Sequence, residues 1–220
     1  AIAVFRKPFS RYAILGRFWR RDWAQFRQIF RIGLPIAGTH LMVAGFFIGT
    51  VFVIGSFGTE AIAAHMIAIQ LPHISIMIPV GLSQAATVRV GHAVGRRNVE
   101  AAYRAGWTAT AMTVCFMTMM SVVVMLVPEA FVKLFIDTSH PVNATVLNLA
   151  VSFLFFAVFF QVADGIQEVI SGALRGLNDT VTPMFIAGIS YWGVGLATGV
   201  WLAFYRDLQG AGLWLGFIFG

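Results

Sequence analysis

VSFLFFAVFFQVADGIQEVISGAL, residues 151–174, is an apolar stretch that carries two acids one helical turn apart, Asp164 and Glu168. A helix needs about 20 mostly apolar residues to cross a bilayer, and this stretch has them. A charged side chain at the bilayer centre costs at least about 2.5 kcal/mol. Carboxylates kept at that depth usually serve an ion or proton pathway. The stretch therefore points to an all-α integral membrane fold, and it marks where function is to be sought.

Composition agrees. The 220 residues are 59% hydrophobic and 11% charged, with a mean hydropathy of +0.82. Soluble domains carry about 25% charged residues, so a soluble core is excluded. Membrane barrels alternate apolar and polar residues in segments of about 10; the apolar runs here are long and continuous. The lone Cys115 allows no intrachain disulfide and no thiolate metal site, and it is expected to be a small buried hydrophobe. The sequence starts at Ala1, shows no secretory signal, and stops inside the apolar run GLWLGFIFG, so a part of a larger protein is expected.

Five full spans and the start of a sixth are expected, at about 32–57, 62–88, 105–127, 146–174, 181–204 and from 211. Their links sort the cations. The segment before the first span, the 89–104 link and the link after the fourth span hold 13 Lys and Arg, and the opposite side holds Lys133 and Arg206. The positive-inside rule makes the Arg-rich side cytoplasmic. The net charge of +6 thus reflects topology and contact with anionic lipid, not nucleic acid. Residues 1–31 mix Arg with Phe5, Phe9, Trp19 and Trp23, the pattern of a basic amphipathic stretch lying along a membrane surface. They divide the chain into a cytoplasmic linker, 1–31, and a transmembrane lobe, 32–220.

Pro35 sits where the first helix is expected to begin. Pro72 and Pro79 fall inside the second span, where each removes a helical hydrogen bond and can kink the helix. Gly188, Gly193, Gly195 and Gly199 in the fifth span suit close helix packing. The chemistry-bearing residues concentrate on the fourth span, where Gln161, Asp164, Glu168 and Ser171 recur at helical spacing. Glu168 is near enough to Arg175 for an ion pair. His40 lies in the first span, and His65 and His73 in the second; histidine can relay protons, but this spacing makes no metal pair. Met112, Met117, Met119 and Met120 suit packing and lipid contact. GHAVGRR, residues 91–97, is not a phosphate-binding loop, so no ATP site is expected.

Several runs resemble the multidrug and toxic compound extrusion (MATE) transporters, in particular their NorM-type bacterial branch. They are AAHMIAIQLPHISIMIPVGLSQAATVRVGHAVGRRN (63–98), ADGIQEVISGALRGLNDT (163–180), ISYWGVGLATG (189–199) and GAGLWLGFIFG (210–220). The resemblance covers nearly all the chain from Gly33 onward. It implies the C-terminal six-helix lobe of a twelve-helix protein of the bacterial inner membrane, partnered by an N-terminal lobe. It implies export of cationic and amphipathic drugs in exchange for H+ or Na+, by rocking of the two lobes. In NorM-type proteins an acid on the tenth helix couples the cation, and Asp164 falls on that position. A glutamate of the seventh helix in some members corresponds to Val43, and a tyrosine one turn before the aspartate corresponds to Phe160. These departures weaken a sodium site and favour a proton.

The expected cation-coupling residues are thus Asp164 and Glu168, with His40, Gln161, Gln167, Phe160, Pro72 and Pro79 as supporting or cavity residues. No metal or cofactor beyond the coupling ion is expected. A lipid-linked precursor flippase of the same superfamily is the alternative, and it would favour basic residues lining the cavity. An intramembrane enzyme would need a nucleophile and base, or metal ligands, on converging faces. No such spacing is present.

Overall fold

A computed structural model describes residues 22–137 and 143–220. Most of the expected linker, residues 1–21, lies outside the described residues. Among the described residues, five helices are long and apolar enough to cross a membrane: Trp23–Gly55, Thr59–Gly95, Val99–Leu126, Ala144–Gly176 and Val181–Tyr205. A shorter apolar helix, Gln209–Phe219, follows.

The first helix begins at Trp23 rather than near residue 32, because Asp22 caps it. The Asp22 carboxylate accepts from the N–H groups of Ala24 and Gln25, both at 3.1 Å. Hydropathy marks the bilayer, whereas the cap marks the helix. At 33 residues the helix is about 50 Å long, against a hydrocarbon core of about 30 Å. Pro35 therefore lies within it, not at its entrance.

The second span is broken twice, at Ile69 and at Ile76, giving Thr59–Ala68, Gln70–Ser75 and Met77–Gly95. Each break falls three residues before a proline, Pro72 or Pro79. Proline has no N–H to offer the carbonyl four residues back. The N–H groups of Ile69 and Ile76, bonded to His65 and Pro72 carbonyls at 2.9 Å, carry the chain through each break.

The links at the Arg-rich end share one design. Arg97 and Asn178 adopt left-handed φ values of 55° and 61°. The next residue's N–H then reaches back five residues, Asn98 to the Ala93 carbonyl at 2.9 Å and Asp179 to the Leu174 carbonyl at 3.0 Å. Asn98 caps the third span through the Ala101 N–H at 2.9 Å. The Thr182 N–H bonds Asp179 at 3.1 Å and holds its carboxyl below the usual range.

The fourth span is central and packs against the second, third and sixth. It approaches the second at Gly172, where a Cβ would collide with the Ser83 side chain and carbonyl. Thr87 Oγ1 donates to the Gly172 carbonyl at 2.7 Å across this contact. The sixth helix seats Gly212 and Gly216 against the backbone of the fifth span at Ala203, Gly195 and Gly199. Of the fifth-span glycines expected to pack, Gly195 and Gly199 face the sixth helix and Gly188 faces Met42; Gly193 meets only its own helix. An aromatic core of Phe46, Phe153, Phe160, Tyr191, Trp214 and Phe217 fills the centre.

Cys115 is exposed, contrary to expectation. The third span turns one face to its neighbours, with Thr113, Met117 and Ser121 buried, while Met112 and Met119 are exposed with Cys115. In a bilayer the lipid-facing surface is apolar too, so residue type does not predict burial within protein.

Candidate functional site

The fourth span hands its polar residues to three different neighbours. Gln161 is fully buried, and its Nε2 donates to Ser121 Oγ of the third span at 2.7 Å. Asp164 turns to the fifth span, where Tyr191 Oη donates to Oδ1 at 2.9 Å. Gln167 Oε1 lies 3.1 Å from the same hydroxyl. Glu168 turns to the second span, where Ser83 Oγ lies 2.9 Å from Oε1, and it also pairs with Arg175 at 2.8 Å. Arg175 in turn donates to Ser83 Oγ at 2.6 Å. Ser171 is buried beside Arg175, Thr39 and Pro183. What reads as one stripe in sequence becomes three separate contacts, because the helix is surrounded.

Depth separates the two acids. Asp164 lies 12 residues before the end of its helix at Gly176, about 18 Å along the axis, and Glu168 about 12 Å. Their electrostatics differ more. Glu168 is neutralised by Arg175, and both side chains are largely buried, at 19% and 16% exposure. Asp164 has no cation within ion-pair distance among the described residues.

Tyr191 is the residue that sequence reasoning missed. It lies in the run ISYWGVGLATG, and a buried phenol within an apolar span was the available signal. Its ring packs on Phe46 at 5.1 Å. It stands in a π-helical segment, Gly188–Leu196, inside the fifth span. Such wide turns are rare and frequently mark functional sites. The hydroxyl has one proton and two acceptors within reach. Turning the Gln167 amide makes its NH2 the donor to Tyr191 Oη, and a chain from Gln167 through Tyr191 to Asp164 is complete.

The other candidates stand apart. His40 is exposed on the first span. Phe160 is buried between Phe47 and Phe217, at 6.0 and 5.5 Å between ring centroids. Val43 packs at the edge of the same core. Pro72 and Pro79 are buried at the breaks of the second span. His65 is buried edge-on to Trp214 at 5.5 Å, with neither ring nitrogen hydrogen-bonded, and His73 is exposed against Phe47. Among the described residues no three His, Cys, Asp or Glu side chains converge on a metal position.

The arrangement sets a carboxylate at depth within its span, with no cation in ion-pair distance among the described residues, against a phenol that stands in a π-helical segment.

Comparison with known proteins identifies the family. The MatE family model matches residues 35–201. The chain is 50% identical over 216 residues to a probable multidrug resistance protein NorM of Mesorhizobium japonicum, covering 98% of this chain and 46% of that protein. It is 45% identical over 221 residues to a probable NorM of Brucella suis, covering all of this chain and 47% of that protein. The chain thus spans about half the length of the curated relatives it matches. Its fold superimposes on the MATE transporter VcmN of Vibrio cholerae, solved in a mutant form, with a TM-score of 0.79 at 19% identity, over 87% of this chain and 42% of that one. A match across most of its length and relatives at this identity leave one assignment: the chain belongs to the MatE family of membrane transporters.

Proposed function

We propose that this chain is one lobe of a secondary multidrug efflux antiporter, with Asp164 as its coupling carboxylate. The Asp164–Tyr191 bond carries the reading. An ionised Asp164 accepts a charge-assisted bond from Tyr191, roughly twice as strong as a neutral one. Uptake of H+ or Na+ removes that charge, weakens the bond and frees the π segment to change register. The fifth span then shifts against the fourth, and the lobe moves between two states that favour drug binding and drug release. Glu168, neutralised by Arg175, anchors the end of the helix while this happens. The drug site lies between this lobe and a partner lobe, in the bacterial inner membrane, with the Arg-rich end cytoplasmic. The names of the relatives support multidrug export.

The test uses everted vesicles holding the full-length transporter. Ethidium transport is driven separately by sodium and proton gradients. Wild type is expected to export under one gradient, which names the ion. Asp164→Asn is expected to lose export while folding normally, because Tyr191 can still donate to the amide oxygen. Export by the Asn variant at the wild-type rate would rule Asp164 out as the coupling group. No ethidium movement by wild type under either gradient would favour a lipid-linked precursor flippase.

A further inference from the structure

We propose that the groove between the second and third spans, at the Arg-rich end, binds one anionic phospholipid. Its phosphate sits on Arg89 and Arg96, and one acyl chain runs toward Leu82 and Met112. The groove has a volume of about 570 Å³. Leu82, Arg89 and Arg96 line it seven residues apart, so they share a face of the second span. From Arg89 to Leu82 the face runs about 10 Å, within the depth of one leaflet at about 15 Å. The cationic mouth and apolar floor therefore lie where a lipid has its phosphate and its tail. Ala85, Ala86, Ala105 and Ala109 line the walls and leave the width for a chain.

Charge identifies the head group. All nine Asp and Glu of the chain lie among the described residues. Among the described residues, Glu100 pairs with Arg104, Glu129 with Lys133 and Glu168 with Arg175. Arg89 and Arg96 are exposed and pair with none. Arg89 is also the cation set deeper in the span, where an arginine needs an anion. Basic pockets between spans at the cytoplasmic side suit anionic lipid head groups. This site stands whether or not Asp164 couples transport.

Native mass spectrometry of the full-length protein in detergent tests it, with dioleoylphosphatidylglycerol and dioleoylphosphatidylcholine as probes. They share acyl chains and differ in charge. Wild type should retain the anionic lipid preferentially. Arg89→Gln with Arg96→Gln should weaken that retention about 30-fold, at about 1 kcal/mol per arginine and tenfold per 1.4 kcal/mol. Arg27→Gln with Arg97→Gln removes equal charge outside the groove and should leave it unchanged. Ala105→Leu keeps every charge, narrows the groove and should weaken retention of both lipids; it decides the matter if the arginine variant does not fold. Four results overturn the proposal: no preference for the anionic lipid; equal loss in the two charge variants; displacement by inorganic phosphate, which marks a plain anion site; or no effect of Ala105→Leu, which marks a groove filled by the partner lobe.

Discussion

Tyr191→Phe removes one oxygen and nothing else. The ring keeps its place against Phe46 at 5.1 Å in a site that is 5% exposed. What disappears is the donor 2.9 Å from Asp164 and 3.1 Å from Gln167. Interhelical hydrogen bonds inside membranes average about 0.6 kcal/mol and reach about 1.7. A bond to an ionised acceptor is roughly twice as strong as a neutral one. The Tyr191–Asp164 coupling should therefore be about 1–1.5 kcal/mol, a factor of about 5 to 12 in a two-state population. A double-mutant cycle with Tyr191→Phe and Asp164→Ala isolates it, read by SDS-titrated unfolding in bicelles. Ethidium export by Tyr191→Phe should fall about tenfold in parallel, because the carboxylate no longer has its link to the π segment. A coupling below about 0.3 kcal/mol together with wild-type export would refute the reasoning. The hydroxyl would then be a bystander that happens to lie near an acid.

Two further outcomes follow from packing and charge. Gly216→Ala places a Cβ against the backbone of Gly195 and Gly199, so it should destabilise the protein by about 1–3 kcal/mol, whereas Gly49→Ala, inside the first helix and in open space, should not lower the unfolding midpoint. A Gly216→Ala protein as stable as wild type would show that the fifth and sixth helices are free to part. Glu168→Gln leaves Arg175 unpaired and should cost about 2 kcal/mol, less than the 3–5 of a fully buried pair because both side chains keep some solvent contact. Adding Arg175→Gln should recover part of that loss; additive losses in the same unfolding assay would mean the two residues act separately.

The spans were legible because the bilayer imposes them: each is a run of apolar residues of the required length, and the alternation of Arg-rich links checks the order. Less legible were features set by single polar groups. Asp22 starts the first helix nine residues before hydropathy rises, since a cap depends on one carboxylate and not on an average. The π segment leaves no periodic signal, because Gly188–Leu196 is apolar on every face except at Ser190 and Tyr191. At the site, Asp164 was legible from the energy of burying a charge. Its partner was not, because Tyr191 is 27 positions away on another helix and no sequence spacing links residues of two different spans. The Glu168–Arg175 pair was legible, seven residues apart on one helix. That the pair also needs Ser83 was not, since Ser83 arrives from the second span 85 positions earlier.

With Asp164 in the proposed coupling role, one helix is anchored at Glu168 and switchable at Asp164. Glu168 sits in a lattice of three groups, Ser83, Arg175 and its own backbone carbonyl, which fixes the second and fourth spans together beside the close contact at Gly172. A change in cation concentration finds no free charge there to act on. Asp164, four residues on the other side, is joined to the fifth span by one hydroxyl, and that span is already wound off the α register where the hydroxyl stands. A bond of about 1–1.5 kcal/mol is too weak to hold a lobe in one state by itself, since a shift from 1:99 to 99:1 needs about 5.5 kcal/mol. It is enough to bias a segment whose two registers are near balance. The π segment therefore has to be close to that balance for Asp164 to act as the coupling group. Gly193, which meets only its own helix, leaves that segment room to re-wind, while Gly188 and Gly195 hold its neighbours close.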